Sequence, residues 1–481
     1  MKFTEYASLD GTGLAELIRN GDVSAGEVLD TAAQAVQAMD KELNAVVEGP
    51  WQAPYTRKPK GPFGGVPFVL KDILCHSAGV PMRMGTRALA EGVKFEQDTD
   101  LMARFVKAGL ICIANTTTPE LALSSATVSK LTGITANPWR AGITPGGSSG
   151  GSAALVASGA VPLAHANDGG GSIRIPDARN GLVGLKTSRA RVPIGPDQQE
   201  AMSGNAIEFA VTRSVRDTAR LLDAVHGYAI GDRYAALPPL RPYADELVGP
   251  TRQFRIAVSK EAWSDVAVDK EVVDSVDSVA HTLSELGHVV DQATPPVDWE
   301  QLTDAFNTIW CFGTSATVTT LGATAQVPID AEHFEVSTLV SYQHGLGLGP
   351  MDLATAFAAM NTVSRSVATW MLDYDVLLTP TTNSAWLMVD HLESQGEPTT
   401  SIEWVHRVLR DSPSCPLYNV TGAPAISLPL ATTSDGLPIG LHLGGPMYGE
   451  GDLIALAAQL EQARPWQHNR PEVHVSSLDS A

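Results

Sequence analysis

The chain has 481 residues, 33 Lys and Arg against 53 Asp and Glu, a formal net charge of −20, and 44% hydrophobic residues. That is a globular composition with material for a large core, and its acidity excludes phosphate-backbone binding and adhesion to anionic membranes, which need Lys and Arg. Four scattered cysteines (Cys75, Cys112, Cys311, Cys415) form neither a disulfide framework nor a zinc motif.

In chain order, the opening lacks the apolar stretch of a signal peptide, and no run reaches the ~18 apolar residues of a membrane span. A reduced, cytoplasmic location is therefore expected. LAELIRNGDVSAGEVLDTAAQAVQAM spaces its apolar residues by three and four, which predicts helices broken at Gly21-Asp22 and restarted at an N-cap, Ser24. A Pro/Gly/Lys loop from Pro54 to Pro67 leads into GVPFVLKDI, an apolar run of strand length. DLMARFVKAGLICIANTTT predicts a helix, a glycine stop and a strand, half of a βαβ unit. Gly, Ser and Ala then dominate from Asn137 to Leu185.

In the C-terminal half, RIAVSKEAW, HVVDQATPP, YDVLLTP, PAISLPLA and IGLHLGG read as strands and DKEVVDSVDSVAHTLSELG as a helix. This alternation predicts an α/β fold, one sheet covered by helices on both faces. A single domain over 1–481 is expected. The Pro- and Arg-rich stretch from Leu237 to Thr251 reads as a long connection rather than a hinge.

The segment from Thr144 to Arg174, TPGGSSGGSAALVASGAVPLAHANDGGGSIR, holds two glycine clusters around an apolar helical stretch. A phosphate cradle is excluded, because no G-K-[ST] follows the glycines. Gly147 to Gly151 satisfies G-x-S-x-G with Ser149 as nucleophile, but AGITPG before it is no strand. Its base would be His391, His406 or His442, none in a distinctive setting. A third reading uses both clusters. Unhindered backbone N–H groups in Asp168-Gly169-Gly170-Gly171-Ser172 can converge on an oxyanion, and Ser172 would present its hydroxyl to the same point. Serine needs a base. Lys71, among Phe68, Val69, Leu70, Ile73 and Leu74, is the candidate, since burial lowers a lysine pKa and favours the neutral amine. Pairing of Lys71 with adjacent Asp72 at a strand end is the competing reading, and both stay open.

GGVPFVLKDI, TPGGSSGGSAALVASG and HANDGGGSIRIP together resemble the amidase signature family of serine hydrolases. LAELIRNGDVSAGEVLD, YDVLLTPT, NVTGAPAISLPL and GLPIGLHLGGPMYGEGDLIALAAQLE extend the resemblance over nearly the whole chain. It implies the amidase signature fold, a large mixed twisted sheet, with a signature core at about 61–195 and pocket segments at about 300–410. It implies a Ser–Ser–Lys triad: Ser172 as nucleophile, Ser148 as bridging serine after a cis peptide bond, Lys71 as base. The amides of Gly169, Gly170, Gly171 and Ser172 match the oxyanion hole, and Asp168 and Arg174 match positions that brace it. Ser149 and Thr144 match structural rather than catalytic positions. No metal or organic cofactor is implied.

Gly169 stands where many members carry a larger Thr or Ile, so a wider pocket beside the nucleophile is expected. The HANDGGGSIRIP version resembles the branch with 6-aminohexanoate cyclic dimer hydrolases and related bacterial amidases. The implied substrate is a small hydrophobic linear or cyclic amide, such as a 6-aminohexanoate cyclic dimer. Trp310, Cys311 and Thr144 are the candidate substrate contacts, with Phe312, Phe334, Tyr342 and Trp404 as further aromatics. The alternative is a likeness to the A subunit of the aminoacyl-tRNA amidotransferase, releasing ammonia from glutamine for a partner. The other assembly considered is a homodimer.

Overall fold

The strand-like runs do enter one sheet. The computed structural model describes residues 1–51 and 60–480, so the first part of the loop expected between Pro54 and Pro67 lies outside them. The strands of its main sheet are β1 (Val46–Glu48), β2 (Pro67–Lys71), β3 (Ile111–Thr116), β4 (Leu163–Asp168), β5 (Val183–Lys186), β6 (Ile207–Thr212), β7 (Arg255–Val258), β8 (Val289–Gln292), β9 (Val376–Pro380), β10 (Ala425–Thr432) and β11 (Pro438–Gly444). They form an 11-stranded sheet in the order β1-β3-β2-β4-β6-β5-β10-β11-β9-β7-β8. The pairs among β3, β2 and β4 and among β9, β7 and β8 are parallel, and the others are antiparallel. This is a mixed α/β sheet, and β7 joins it across the Leu237–Thr251 connection.

Local signals act as expected at the N-terminus. Helix Gly11–Asn20 stops at Gly21 in the left-handed region, and Ser24 Oγ accepts from Glu27 N at 3.1 Å to cap helix Ala25–Leu43. Helix Asp100–Ala108 ends the same way at Gly109 before β3.

The sequence signals do not resolve the helices between 299 and 370. Trp299–Ala325 buries residues on several faces, because it touches the core, a cavity and helix Val336–Gly347. A helix without one clean polar face carries only a weak 3.6-residue alternation. With helices Pro350–Trp370, Ser401–Leu409 and Ser414–Thr421 it builds a second apolar cluster, around Phe306, Ile309, Trp310, Leu409 and Leu417. Among the described residues no helix is long and apolar enough to cross a membrane.

Candidate active site

Lys71 is the last residue of β2, which is buried along its whole length. Its Nζ lies 2.6 Å from Ser148 Oγ and donates to Asn167 Oδ1 at 2.6 Å. Burial lowers its pKa to about 7, against the opposing pull of the Asp168 and Glu208 charges. Asp72 does not pair with it. That carboxylate accepts from Arg83 N at 3.0 Å and Asn115 Nδ2 at 3.3 Å. Lys186 is equally buried and also lowered to about 7, yet its Nζ donates to the Thr187 carbonyl and it lines no part of the cavity. Geometry, not pKa, distinguishes the two lysines.

Ser148 is fully buried and follows a cis Gly147–Ser148 peptide, just before helix Gly150–Ala157. Ser149 turns away, and its Oγ donates to the Asn167 carbonyl at 3.4 Å. The three histidines of the rival reading are engaged elsewhere. His391 contacts the Met388 carbonyl, His406 contacts Thr303, and His442 lies 3.0 Å from Arg174 Nη1. Neither Ser149 nor Ser172 bonds to any of them among the described residues.

The loop after β4 is fixed from behind. Arg174 and Asp168 are both fully buried and joined by two bonds, Nε to Oδ2 and Nη2 to Oδ1, each 2.9 Å. Burial alone would raise the Asp168 carboxyl, but the Arg174 guanidinium and the Asn419 amide hold it well below the usual carboxylate range. Asp168 also accepts from Gly171 N at 2.8 Å and Ile173 N at 3.2 Å. Gly171 N–H is thereby spent on the brace and is not free for an oxyanion, which corrects its assignment to the hole. The amides of Gly169, Gly170 and Ser172 make no hydrogen bond among the described residues. Replacing Asp168 by alanine strands a buried guanidinium and is expected to cost about 3–5 kcal/mol in urea unfolding. A loss below about 1 kcal/mol would contradict the bracing role.

Two glycines of this loop have different reasons to be there. Gly171 has φ +128°, and a Cβ on it would lie 2.7 Å from Ile175 Cδ1 and 2.9 Å from Cys415 Cβ. At Gly169 a Cβ would lie 2.7 Å from Met202 Sδ, so the thioether occupies the space that the missing side chain leaves. The expectation of a wider pocket beside the nucleophile is thus corrected: Met202 fills it. Gly169→Ala should fold near wild-type stability by displacing a flexible Met202, whereas Gly171→Ala should lose soluble folded protein. Thermal unfolding of the two variants compares them.

Ser148 and Ser172 face one cavity of about 500 Å³, within the range of small-molecule sites. Asn167, Met202 and Gly170 line it beside the serines, and Leu121, Leu123, Met84, Ile175 and Leu409 supply apolar wall. On the Trp299–Ala325 helix the lining residues are Trp310, Gly313, Thr314, Ala316, Thr317, Thr320 and Leu321, one face at helical spacing.

Of the other pocket candidates the structure brings none to this wall. Cys311 points off that face, with Sγ 3.5 Å from Asn307 Oδ1 and its carbonyl against Gly345. Thr144 Oγ1 accepts from Gly146 N at 3.0 Å within its own turn. Phe334 packs with Ala88, Leu121 and Val318, while Trp404 Nε1 donates to the Leu123 carbonyl and holds a lining loop from outside. Phe312 and Tyr342 also lie off the lining. Asn167, beside Lys71, was missed by the sequence reading, although it directly precedes Asp168 in the conspicuous motif. The four cysteines are free, but Cys75, His165 and Glu208, far apart in sequence, gather in the interior with ligand atoms within 4.8 Å.

The mixed sheet thus places a buried lysine–serine pair beside a glycine-rich loop at the floor of one cavity. The family model described as Amidase matches residues 27–454, and the chain belongs to that family. It is 33% identical, over 96% of both chains, to the 6-aminohexanoate-cyclic-dimer hydrolase of Pseudomonas sp. (strain NK87). The solved structure of a 6-aminohexanoate cyclic dimer hydrolase superimposes with a TM-score of 0.91 at 31% identity, over 97% of this chain and 99% of that one. The amidotransferase A subunit of Thermotoga maritima shares the fold, with a TM-score of 0.75 at 22% identity over 99% and 98% of the two chains. The chain is thus an amide-hydrolysing enzyme with the amidase signature fold.

Proposed function

We propose that this amidase works through an acyl-enzyme on Ser172, with Ser148 as proton relay and Lys71 as base. The observation that carries the reading is the Lys71 amine, fully buried and 2.6 Å from Ser148 Oγ. Neutral Lys71 takes a proton from Ser148, which takes one from Ser172 as Ser172 Oγ attacks the carbonyl carbon. The developing oxyanion meets the Gly169, Gly170 and Ser172 amides, each such donor contributing about 2.7–4 kcal/mol. Lys71 then returns the proton through Ser148 to the leaving nitrogen, so the C–N bond breaks to a neutral amine. Water, deprotonated by the same relay, attacks the acyl ester, releases the carboxylic acid and restores Ser172.

The substrate in this reading is a small, largely apolar linear or cyclic amide. Its support is the apolar wall of the cavity, which contains no Lys or Arg among the described residues, and the likeness to a cyclic-dimer hydrolase. The whole chain acts as one amidase domain without a partner subunit. Incubating the purified chain alone with linear and cyclic amides, glutamine included, tests this. Turnover of apolar amides is the expected result. Activity confined to glutamine would transfer the reading to an ammonia-supplying subunit.

A further inference from the structure

Among the described residues lining the cavity, His76 and Asp197 are the only two with titratable carboxylate or imidazole side chains, and no described lysine, arginine or other acid joins them. They form one unit. His76 Nε2 lies 2.7 Å from Asp197 Oδ2, and the imidazole stacks on Phe95 with ring centroids 3.7 Å apart and planes 12° apart. The His76 side chain is 4% exposed and that of Asp197 is 47% exposed. A buried, stacked ring therefore holds a half-exposed carboxylate at the cavity wall. Asp197 sits on a fixed loop, because the carbonyl two residues earlier, at Gly195, accepts from Asp100 N at 3.0 Å.

Asp197 Oδ1 has no hydrogen-bond partner among the described residues, and no lysine or arginine there forms an ion pair with Asp197. Asp197 is the one carboxylate among the described residues that line the cavity. Such a charge at the open side of an otherwise uncharged, apolar cavity is complementary to a cation on an aliphatic chain: methylenes against the wall, ammonium at the carboxylate. The formal net charge of −20 acts in the same direction, raising the concentration of cations near the entrance.

We propose that Asp197, aligned by His76, is the recognition point for an alkylammonium group that the substrate carries at the end of its chain remote from the scissile amide. This names a substrate class for the hydrolase proposed above and rests on that reading. The test uses two chain-matched anilides, 6-aminohexanoyl-p-nitroanilide and hexanoyl-p-nitroanilide, with wild type, Asp197→Asn and Asp197→Glu. Wild type should prefer the ammonium anilide in kcat/KM. Asp197→Asn should lower that preference at least about fivefold, mainly through KM, and Asp197→Glu should restore part of it. The preference should also fall as salt is added. A preference ratio equal in wild type and Asp197→Asn would overturn the subsite while leaving the hydrolase reading intact. If neither anilide were hydrolysed, the hydrolase reading itself would be in question, and calorimetric titration with n-hexylammonium chloride decides the subsite separately. Tighter binding to wild type than to Asp197→Asn supports it, and equal binding contradicts it.

Discussion

Replacing Ser172 by alanine is expected to reduce amide hydrolysis by about 10⁴-fold or more while leaving the fold intact. Both halves of the expectation come from the geometry. Ser172 Oγ makes no hydrogen bond among the described residues, so its removal orphans no buried donor or acceptor. The loop that carries it is held by Asp168 and Arg174, whose four bonds to each other and to the Gly171 and Ile173 amides do not involve the serine side chain. Unfolding free energy should therefore change by less than about 0.5 kcal/mol. Ser149→Ala supplies the contrast: its hydroxyl is bonded to the Asn167 carbonyl, so it should lose some stability and keep most of its activity. Steady-state rates and urea unfolding on both variants separate the two outcomes. Full turnover by Ser172→Ala would remove this residue as nucleophile.

The second large effect concerns pH. Lys71 acts as a base only when neutral, and burial has brought its pKa from 10.5 to about 7. The rate should thus be flat above about pH 7 and fall about tenfold per unit below it, as the amine protonates. Lys71→Arg should be inactive across the whole range, because a guanidinium stays protonated. The same shift has a cost for the fold, a penalty for keeping the buried amine protonated. Between pH about 7 and 10.5 the unfolded chain binds a proton at Lys71 that the folded chain does not, so stability rises with pH across that window. Below about pH 7 the penalty is at its full value. A rate unchanged from pH 9 to pH 5 would rule out the neutral lysine as base.

Much of this was legible in the sequence, and the legible parts share a physical feature. Lys71 stood out because it sits in the apolar run PFVLKDIL, which left burial or a strand-end pairing with Asp72 open, and the strand Pro67–Lys71 buries it. The second glycine cluster stood out because glycines leave backbone N–H groups unhindered, and within it Gly171 adopts a φ of +128°, which other residues rarely do. Side chains that act through distant contacts gave no such sign. Met202 matters because it fills the space beside Gly169, across a separation that no local pattern spans. Asp197 and His76 meet over 121 positions of chain.

Trp310 and Cys311 are a closer lesson. Adjacent residues on a helix point about 100° apart, and Trp310 falls with Thr314, Thr317 and Leu321 on the lining face whereas Cys311 falls off it. Reading that face against its neighbours required knowing that residues 299 to 325 form a helix. Its weak amphipathic pattern had hidden this.

The most direct measurement is to inactivate the protein with a phosphonate reagent that forms a stable ester with an activated serine, then locate the adduct by fragmenting the modified peptide in a mass spectrometer. One adduct on Ser172, absent in Lys71→Met and appearing in step with the loss of activity, is the predicted result. An adduct on Ser149, or complete inactivation with Ser172 unmodified, would contradict the acyl-enzyme assigned to Ser172.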